Sequence, residues 1–180
     1  MLQDIFNLII DAVAGMLGGL LLLRFWMQSI RIRPPNSLGH FIFALTDWLV
    51  RPLRRLIPGV GGYDWASLLA AFLIAVLATL ATIWYFPQIS VQLVLVATLL
   101  RFVEWILYGF MLFILIEVVL SWVNPHAPLA PFIRALNDPL LRPLRRIIPL
   151  IGGIDLSSLV ALLLLQILLK VAVRVIPLLA

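Results

Sequence analysis

The chain has 180 residues and a net charge of +5; 64% of it is hydrophobic, only 12% is charged, and its mean hydropathy is +1.16. A soluble domain is roughly half apolar and a quarter charged, so this composition excludes a water-soluble globular protein. The absence of cysteine excludes disulfides, thiol catalysis and cysteine-ligated metal sites.

Four segments are long and apolar enough to cross a bilayer, which takes about 20 residues in a helix. They are residues 5–30, 64–86, a span within 91–122, and 155–176. The third segment is too long for one perpendicular span, so it either tilts or begins in the interface. The first segment carries Asp4 and Asp11 near its start instead of a basic region, so we expect a retained helix and not a cleaved signal.

The arginines fall in two blocks, one between the first and second spans and one between the third and fourth. They are Arg31, Arg33, Arg51, Arg54 and Arg55, then Arg134, Arg142, Arg145 and Arg146. The positive-inside rule predicts that both blocks are cytoplasmic and both termini lie outside, although Lys170 and Arg174 oppose this mildly. Because the blocks flank apolar spans, they favour anionic lipid head groups over nucleic acid as partners.

The second half of the chain repeats the first. Residues 47–70 and 138–161 are identical at 15 of 24 positions at a constant offset of 91. We therefore divide the chain into a first repeat, 1–90, and a second, 91–180. Because each repeat contains two spans, both insert in the same sense. The prediction is an all-α membrane protein of about four transmembrane helices in two tandem parallel repeats, each with a short basic amphipathic segment between its spans.

The repeated segment is predicted to be a short helix. In the second copy, Asp138 would be the N-cap, Pro139 the first helical residue, Pro143 a kink or break, and Pro149 the end. The predicted apolar faces are Leu140, Leu141, Leu144, Ile147 and Ile148, and in the first copy Leu49, Leu53, Leu56 and Ile57.

A pair of glycines follows each amphipathic segment, at 61–62 and at 152–153. They predict tight turns, after which Asp64 and Asp155 would serve as structural N-caps of the next span.

Six arginines on these segments are the candidate binding residues: Arg51, Arg54, Arg55, Arg142, Arg145 and Arg146. Three roles stay open for them. They are anchors that fix topology at the interface, a specific site for anionic lipid or a partner protein, or the lining of an ion pathway.

Charged or polar residues inside the spans are a second set of candidates, because such residues are costly in lipid. They are Arg24, Arg101, Glu104, Glu117 and Gln166. Arg101 and Glu104 are three residues apart, which predicts an ion pair. Arg24 and Glu117 fall within two residues of equivalent depth, so they would form a buried pair between the repeats or line an ion pathway. Alternatively, Arg24 snorkels to water.

No enzymatic pattern is found. His40 and His126 are isolated loop residues, and no P-loop, dinucleotide fingerprint or nucleophile elbow occurs. We therefore predict no catalytic residue, no metal and no cofactor.

The chain resembles the YggT (YlmG-related) family of bacterial and plastid membrane proteins. The motifs that carry the resemblance are LLRFWMQ at 22–28, RPLRRLIP at 51–58, SW at 121–122, DPLLRPLRRIIP at 138–149 and GGIDLS at 152–157. The resemblance covers essentially the whole chain and implies the two-repeat form in the bacterial inner membrane. It also implies links to osmotic or potassium stress tolerance, cell division, and plastid cytochrome assembly.

The leading hypothesis is a non-enzymatic scaffold or assembly factor whose duplicated arginine segments engage anionic lipid or membrane protein partners. The alternative is a small ion channel or transporter with Arg24 and Glu117 near its pathway. A chain with only four spans is also suited to self-association or to binding other inner-membrane proteins.

Overall fold

The computed structural model describes residues 1–57, 59, 61–85, 89–148 and 155–179. In order, its elements are α1 (Leu2–Ser29), α2 (Asn36–Leu56), α3 (Trp65–Ile83), α4 (Val91–Val123), α5 (Ala130–Ile147), α6 (Leu156–Val175) and a final 3-10 turn (Ile176–Leu179). Helices α1, α3, α4 and α6 are long and apolar enough to cross a membrane. The predicted all-α class and the four predicted spans are therefore confirmed. The predicted end of the second span, at Pro87, lies outside the described residues.

Helices α1 and α3 pack closely against each other, and the buried side of α3 is made mostly of small side chains. Ala14 of α1 is buried, as are five alanines of α3: Ala66, Ala70, Ala71, Ala75 and Ala78. In lipid, helices gain little from burying apolar surface against each other, so close backbone approach and van der Waals contact hold them together. Leu21 and Val50 complete this core and bring α2 against the same pair.

The second repeat has its own core with the same helix order. Leu107, Met111 and Ile114 of α4 pack with Leu141 of α5, and with Ala161 and Leu165 of α6. Each repeat is thus a spanning helix, an amphipathic helix and a second spanning helix around one cluster. The side chains here are larger than in the first repeat.

A third buried cluster joins the two repeats. Met27 at the end of α1 and Ile42 of α2 pack with three residues of α5: Phe132, Ile133 and Leu136. The indole nitrogen of Trp26 also donates to the carbonyl of Leu136, at 3.0 Å. Both amphipathic helices therefore lie at the same end of the bundle, which we call the arginine end, as parallel repeats require.

The amphipathic helices are longer than predicted. Helix α5 begins at Ala130 after Leu129, so the prediction of Asp138 as N-cap and Pro139 as the first helical residue is wrong. The helix also continues through Pro143, and α2 through Pro52, so of the predicted kink or break the break is excluded. The reason is tertiary. The apolar residues before Asp138 pack into the cluster that joins the repeats, which offsets the hydrogen bond that each proline loses.

The turn before α3 agrees with the prediction. Gly61 and Gly62 have φ angles of +70° and +84°, which residues with a Cβ rarely adopt. The corresponding Gly152–Gly153 turn and Pro149, predicted to end α5, lie outside the described residues.

Candidate functional site

Arg24 is at the centre of a polar network in the first repeat, although it lies on a spanning helix. Its side chain is only 6% exposed. Nη1 donates to Oδ1 of Asp47 at 2.6 Å and to the hydroxyl of Thr46 at 3.0 Å. Nε lies 3.4 Å from Oδ2 of Asp64. Arg54 donates to both oxygens of Asp64, at 3.2 Å and 2.5 Å. The network therefore joins the end of α1, the middle of α2 and the start of α3.

A second network occupies the corresponding place in the second repeat. Glu117 of α4 is 8% exposed and accepts hydrogen bonds from Asn137 and from Nη2 of Arg145, both at 2.8 Å. Nε of Arg145 donates to Asp155, also at 2.8 Å. Nε of Arg134 lies 3.8 Å from Glu117. This network joins α4, α5 and the start of α6.

Both networks contain an arginine–aspartate pair at equivalent positions, but they differ in the charged residue that the preceding spanning helix supplies. Arg54 and Arg145 are equivalent at the offset of 91, and so are Asp64 and Asp155. In both repeats the pair ties the amphipathic helix to the start of the following span. The spanning helix before it supplies a cation in the first repeat, Arg24, and an anion in the second, Glu117.

Asp64 and Asp155 are also N-caps, as predicted. Asp64 accepts from the backbone N–H and the hydroxyl of Ser67, at 3.3 Å and 2.6 Å, and Asp155 accepts from the backbone N–H of Ser157 at 3.0 Å. Their ion pairs were missed from the sequence. The signal was present, because an arginine stands ten residues before the capping aspartate in both copies.

The predicted pair between Arg24 and Glu117 is wrong. Among the described residues, each pairs only within its own repeat, because the amphipathic helix of that repeat brings an opposite charge closer. Nor does Arg24 snorkel, since its side chain is buried among carboxylates.

The predicted pair between Arg101 and Glu104 is also wrong. Arg101 pairs with Asp11 of α1 at 2.5 Å, and its other terminal nitrogen donates to the hydroxyl of Thr82, 3.1 Å away. Partners on α1 and α3 are available because α4 packs against both helices. The pair fastens the bundle at the end opposite the networks.

The six candidate arginines thus divide into two groups. Arg54 and Arg145 hold the fold together. The other four are exposed, and of these Arg51 pairs with Asp47 at 2.8 Å. Arg55, Arg142 and Arg146 make no ion pair with another residue of the described ranges.

The described residues contain no group of three or more histidine, aspartate or glutamate side chains placed to hold a metal ion. Both histidines are exposed, but only His126 lies in a loop; the prediction of His40 as a loop residue is wrong, because α2 includes it.

The capping aspartates have lowered pKa values. Burial alone would raise the pKa of Asp64, but hydrogen bonds from Arg54 and Ser67 outweigh it and hold the pKa below the ordinary 3.8. For Asp155, hydrogen bonds from Ser157 and Arg145 likewise outweigh burial and lower the pKa. Both carboxyls are therefore ionised at neutral pH, as their ion pairs require.

These pKa values predict a loss of stability in acid. A carboxyl whose pKa is lower in the folded state stabilises the fold fully above its unfolded pKa, and this contribution is lost as the pH falls through the folded pKa. We expect the unfolding temperature in detergent to be flat above about pH 5 and to fall below about pH 4. Asp64→Asn should make the acid slope shallower. An unchanged slope in that variant would contradict a role for Asp64.

Comparison with known proteins agrees with the two-repeat architecture. The family profile described as CCB3/YggT matches residues 3–85 and again residues 96–176. The chain belongs to the CCB3/YggT family. Each CCB3/YggT match contains one of the two networks. The chain is 35% identical to the YggT protein of Escherichia coli K12 over 153 residues, which cover 82% of this chain and 78% of that protein.

Other bacterial relatives are similarly close. A Vibrio alginolyticus protein is 38% identical over 77% of both chains, and a Haemophilus influenzae protein is 33% identical over 86% of this chain and 84% of its own length. No solved structure matches the chain. The protein is therefore a helical membrane protein of the YggT family.

Proposed function

We propose that the protein is a non-enzymatic membrane scaffold whose amphipathic helices α2 and α5 lie in the interface and bind anionic lipid head groups. Membrane proteins with acidic surfaces would assemble on the same arginines. The observation that carries the proposal is the arginine–aspartate pair found at equivalent positions in both repeats. It fixes each amphipathic helix against the bundle and leaves the neighbouring arginines facing outward.

The exposed side chains of α2 and α5 suit an interface. Arg55, Arg142 and Arg146 are exposed and without carboxylate partners in the described structure, while Phe41 and Trp48 of α2 are exposed apolar residues. Amphipathic helices that expose both arginines and aromatic residues lie at the boundary between head groups and acyl chains. Aromatic residues of this kind are enriched at that depth.

The arginine end is proposed to face the cytoplasm, with both termini outside the plasma membrane. The cytoplasmic leaflet carries the anionic lipids, and each arginine near its surface contributes about 1 kcal/mol of attraction. A scaffold that gathers anionic lipid in this leaflet would suit the osmotic-stress role that the family resemblance implies.

Neutralising the free arginines tests the proposal. The triple variant Arg55→Gln, Arg142→Gln, Arg146→Gln should bind anionic lipid about 100-fold more weakly, because three contributions of about 1 kcal/mol are removed. The measurement is native mass spectrometry of the protein released from nanodiscs of mixed phosphatidylcholine and phosphatidylglycerol. The fold should survive, since none of the three residues forms an ion pair within the part of the chain that the structure describes.

The matched control is Lys170→Gln with Arg174→Gln. These exposed cations lie late in α6, away from the arginine end, so their loss should leave lipid enrichment unchanged. Equal losses in both variants would contradict the proposal.

Potassium or proton flux above that of empty vesicles, if it disappears in Glu117→Gln, would also contradict the proposal, because that result favours the ion-channel alternative. Glu117 accepts hydrogen bonds from Asn137 and Arg145, and these contacts support a structural role for it.

A further inference from the structure

A polar groove opens at the arginine end of the first repeat. It has a volume of about 610 Å³ and lies among the end of α1, the following loop, and α2. Its polar lining is Arg24, Gln28, Arg31, Arg33, Asp47 and Arg54. This volume is within the range of about 300–1,000 Å³ of sites that hold small molecules.

The groove carries an excess of positive charge. Four guanidinium groups line it, whereas one carboxylate, Asp47, lies in the lining and a second, Asp64, lies beside Arg24 and Arg54. Counting Arg51, which pairs with Asp47, five cations stand against two anions and leave a surplus of three. A phosphomonoester carries about −1.5 to −2 at neutral pH, so it would neutralise most of this surplus.

Arg24 has an unsatisfied donor although it is buried. Its Nη1 is bonded to Asp47 and Thr46, but Nε has no hydrogen-bond acceptor, and the closest carboxylate oxygen is the one 3.4 Å away on Asp64. A buried donor without an acceptor is costly. The planar fork of arginine donors suits the oxygens of phosphate.

Arg31 stands where glycine would fit the backbone better. Its φ is +58°, the left-handed conformation that ends α1. The backbone N–H of Arg31 donates to Gln28 at 3.1 Å, and that of Ile32 donates to Met27 at 2.9 Å. These two bonds form the Schellman motif, in which this position is usually glycine. An arginine at this position places a positive charge in the groove, although its left-handed backbone costs conformational free energy. Strained backbone of this kind is found at functional sites.

Three of the four groove cations have no counterpart in the second repeat; the fourth, Arg54, corresponds to Arg145. At the offset of 91, Arg24, Arg31 and Arg33 correspond to Leu115, Trp122 and Asn124. The ion pair that joins the amphipathic helix to the following span does not require these three arginines, because the second repeat forms the equivalent pair without them.

We propose that this groove is a discrete site for a phosphate group. The phosphate is borne either by a lipid such as phosphatidic acid or by a small soluble compound. The inference rests on the proposed function for its placement of anionic head groups at the arginine end. It differs in requiring one saturable site that depends on Arg31 and Arg33, and not on Arg55, Arg142 and Arg146.

The test uses the full chain in phosphatidylcholine nanodiscs, titrated separately with phosphatidic acid and with inorganic phosphate. In the double variant Arg31→Gly, Arg33→Gln, affinity for the bound probe should fall about 100-fold, since each charge-assisted contact is worth about tenfold. Glycine suits the left-handed backbone, so the unfolding temperature should not fall. Lys170→Gln with Arg174→Gln is the matched control, since these two exposed cations lie away from the arginine end, and it should bind like the native chain.

The results of these titrations distinguish a lipid from a soluble compound as the bearer of the phosphate group. Saturable binding of phosphatidic acid that inorganic phosphate does not displace supports a lipid head group. Saturable binding of inorganic phosphate supports a soluble phosphate compound. Saturation by neither probe, or equal weakening in the control variant, overturns the site. The proposed function is judged separately, by lipid enrichment in the triple variant, and can survive the loss of this site.

Discussion

Replacing Asp64 with alanine is expected to lower the free energy of unfolding by about 3–5 kcal/mol, the usual loss when one partner of a buried ion pair is removed. The side chain is only 2% exposed. It caps α3 and accepts from Arg54, and Arg24 lies beside it. Among the described residues, the alanine variant would leave Arg24 with Asp47 as its remaining carboxylate partner and would leave Arg54 with none. Unfolding of the purified protein in detergent, followed by circular dichroism, measures the change.

Asp155→Ala is the matched control because it removes the equivalent cap in the second repeat. Its side chain is 29% exposed, and Arg145 would keep its bond to Glu117. A loss of about 1–2 kcal/mol is expected, close to that of an N-cap alone. Equal losses at the two positions would contradict the view that Arg24 makes the first network more dependent on its aspartate.

Gly18→Ala is expected to destabilise the bundle by about 1–3 kcal/mol, the range for overpacking a filled interior. A Cβ on Gly18 would lie 2.2 Å and 2.3 Å from two ring carbons of Trp105. The indole would have to move, and with it the contact between α1 and α4 that joins the repeats. The same unfolding measurement in detergent reports the loss.

Gly19→Ala serves as the control for this second prediction. A Cβ there would meet no atom within 4 Å. Since alanine favours helix over glycine by roughly 0.5–1 kcal/mol, this variant should be unchanged or slightly stabilised. Similar behaviour of both variants would show that the helices do not approach at Gly18 as closely as the structure indicates.

The two networks show how duplication and divergence combine in this protein. The arginine–aspartate tether is common to both repeats and accounts for the repeated arginine motif and the capping aspartates. The third member differs between the halves and comes from a different position on the spanning helix: Arg24 corresponds to Leu115, and Glu117 corresponds to Trp26. The first half consequently collects a surplus of positive charge, while the second pairs its charges more evenly.

Several features could be predicted from the sequence because they depend on local pattern. Lipid offers no hydrogen bonds to the backbone, so long apolar segments must form helices, and all four spans were found. The caps at Asp64 and Asp155 and the Gly61–Gly62 turn follow from short-range chemistry. The offset of 91 and the even number of spans predicted the parallel repeats.

Only the tertiary structure decided which charges meet. The sequence predicted that Arg101 pairs with Glu104 and that Arg24 pairs with Glu117. Arg101, Arg24 and Glu117 each pair instead with a different residue on another helix of the bundle. The rotation and packing of helices set those distances, and residue spacing within one helix does not reveal them. The early start of α5 has the same origin, since its first turns are stabilised by contact with α1 and α2. The groove likewise unites arginines from 24 to 54, which only packing brings together.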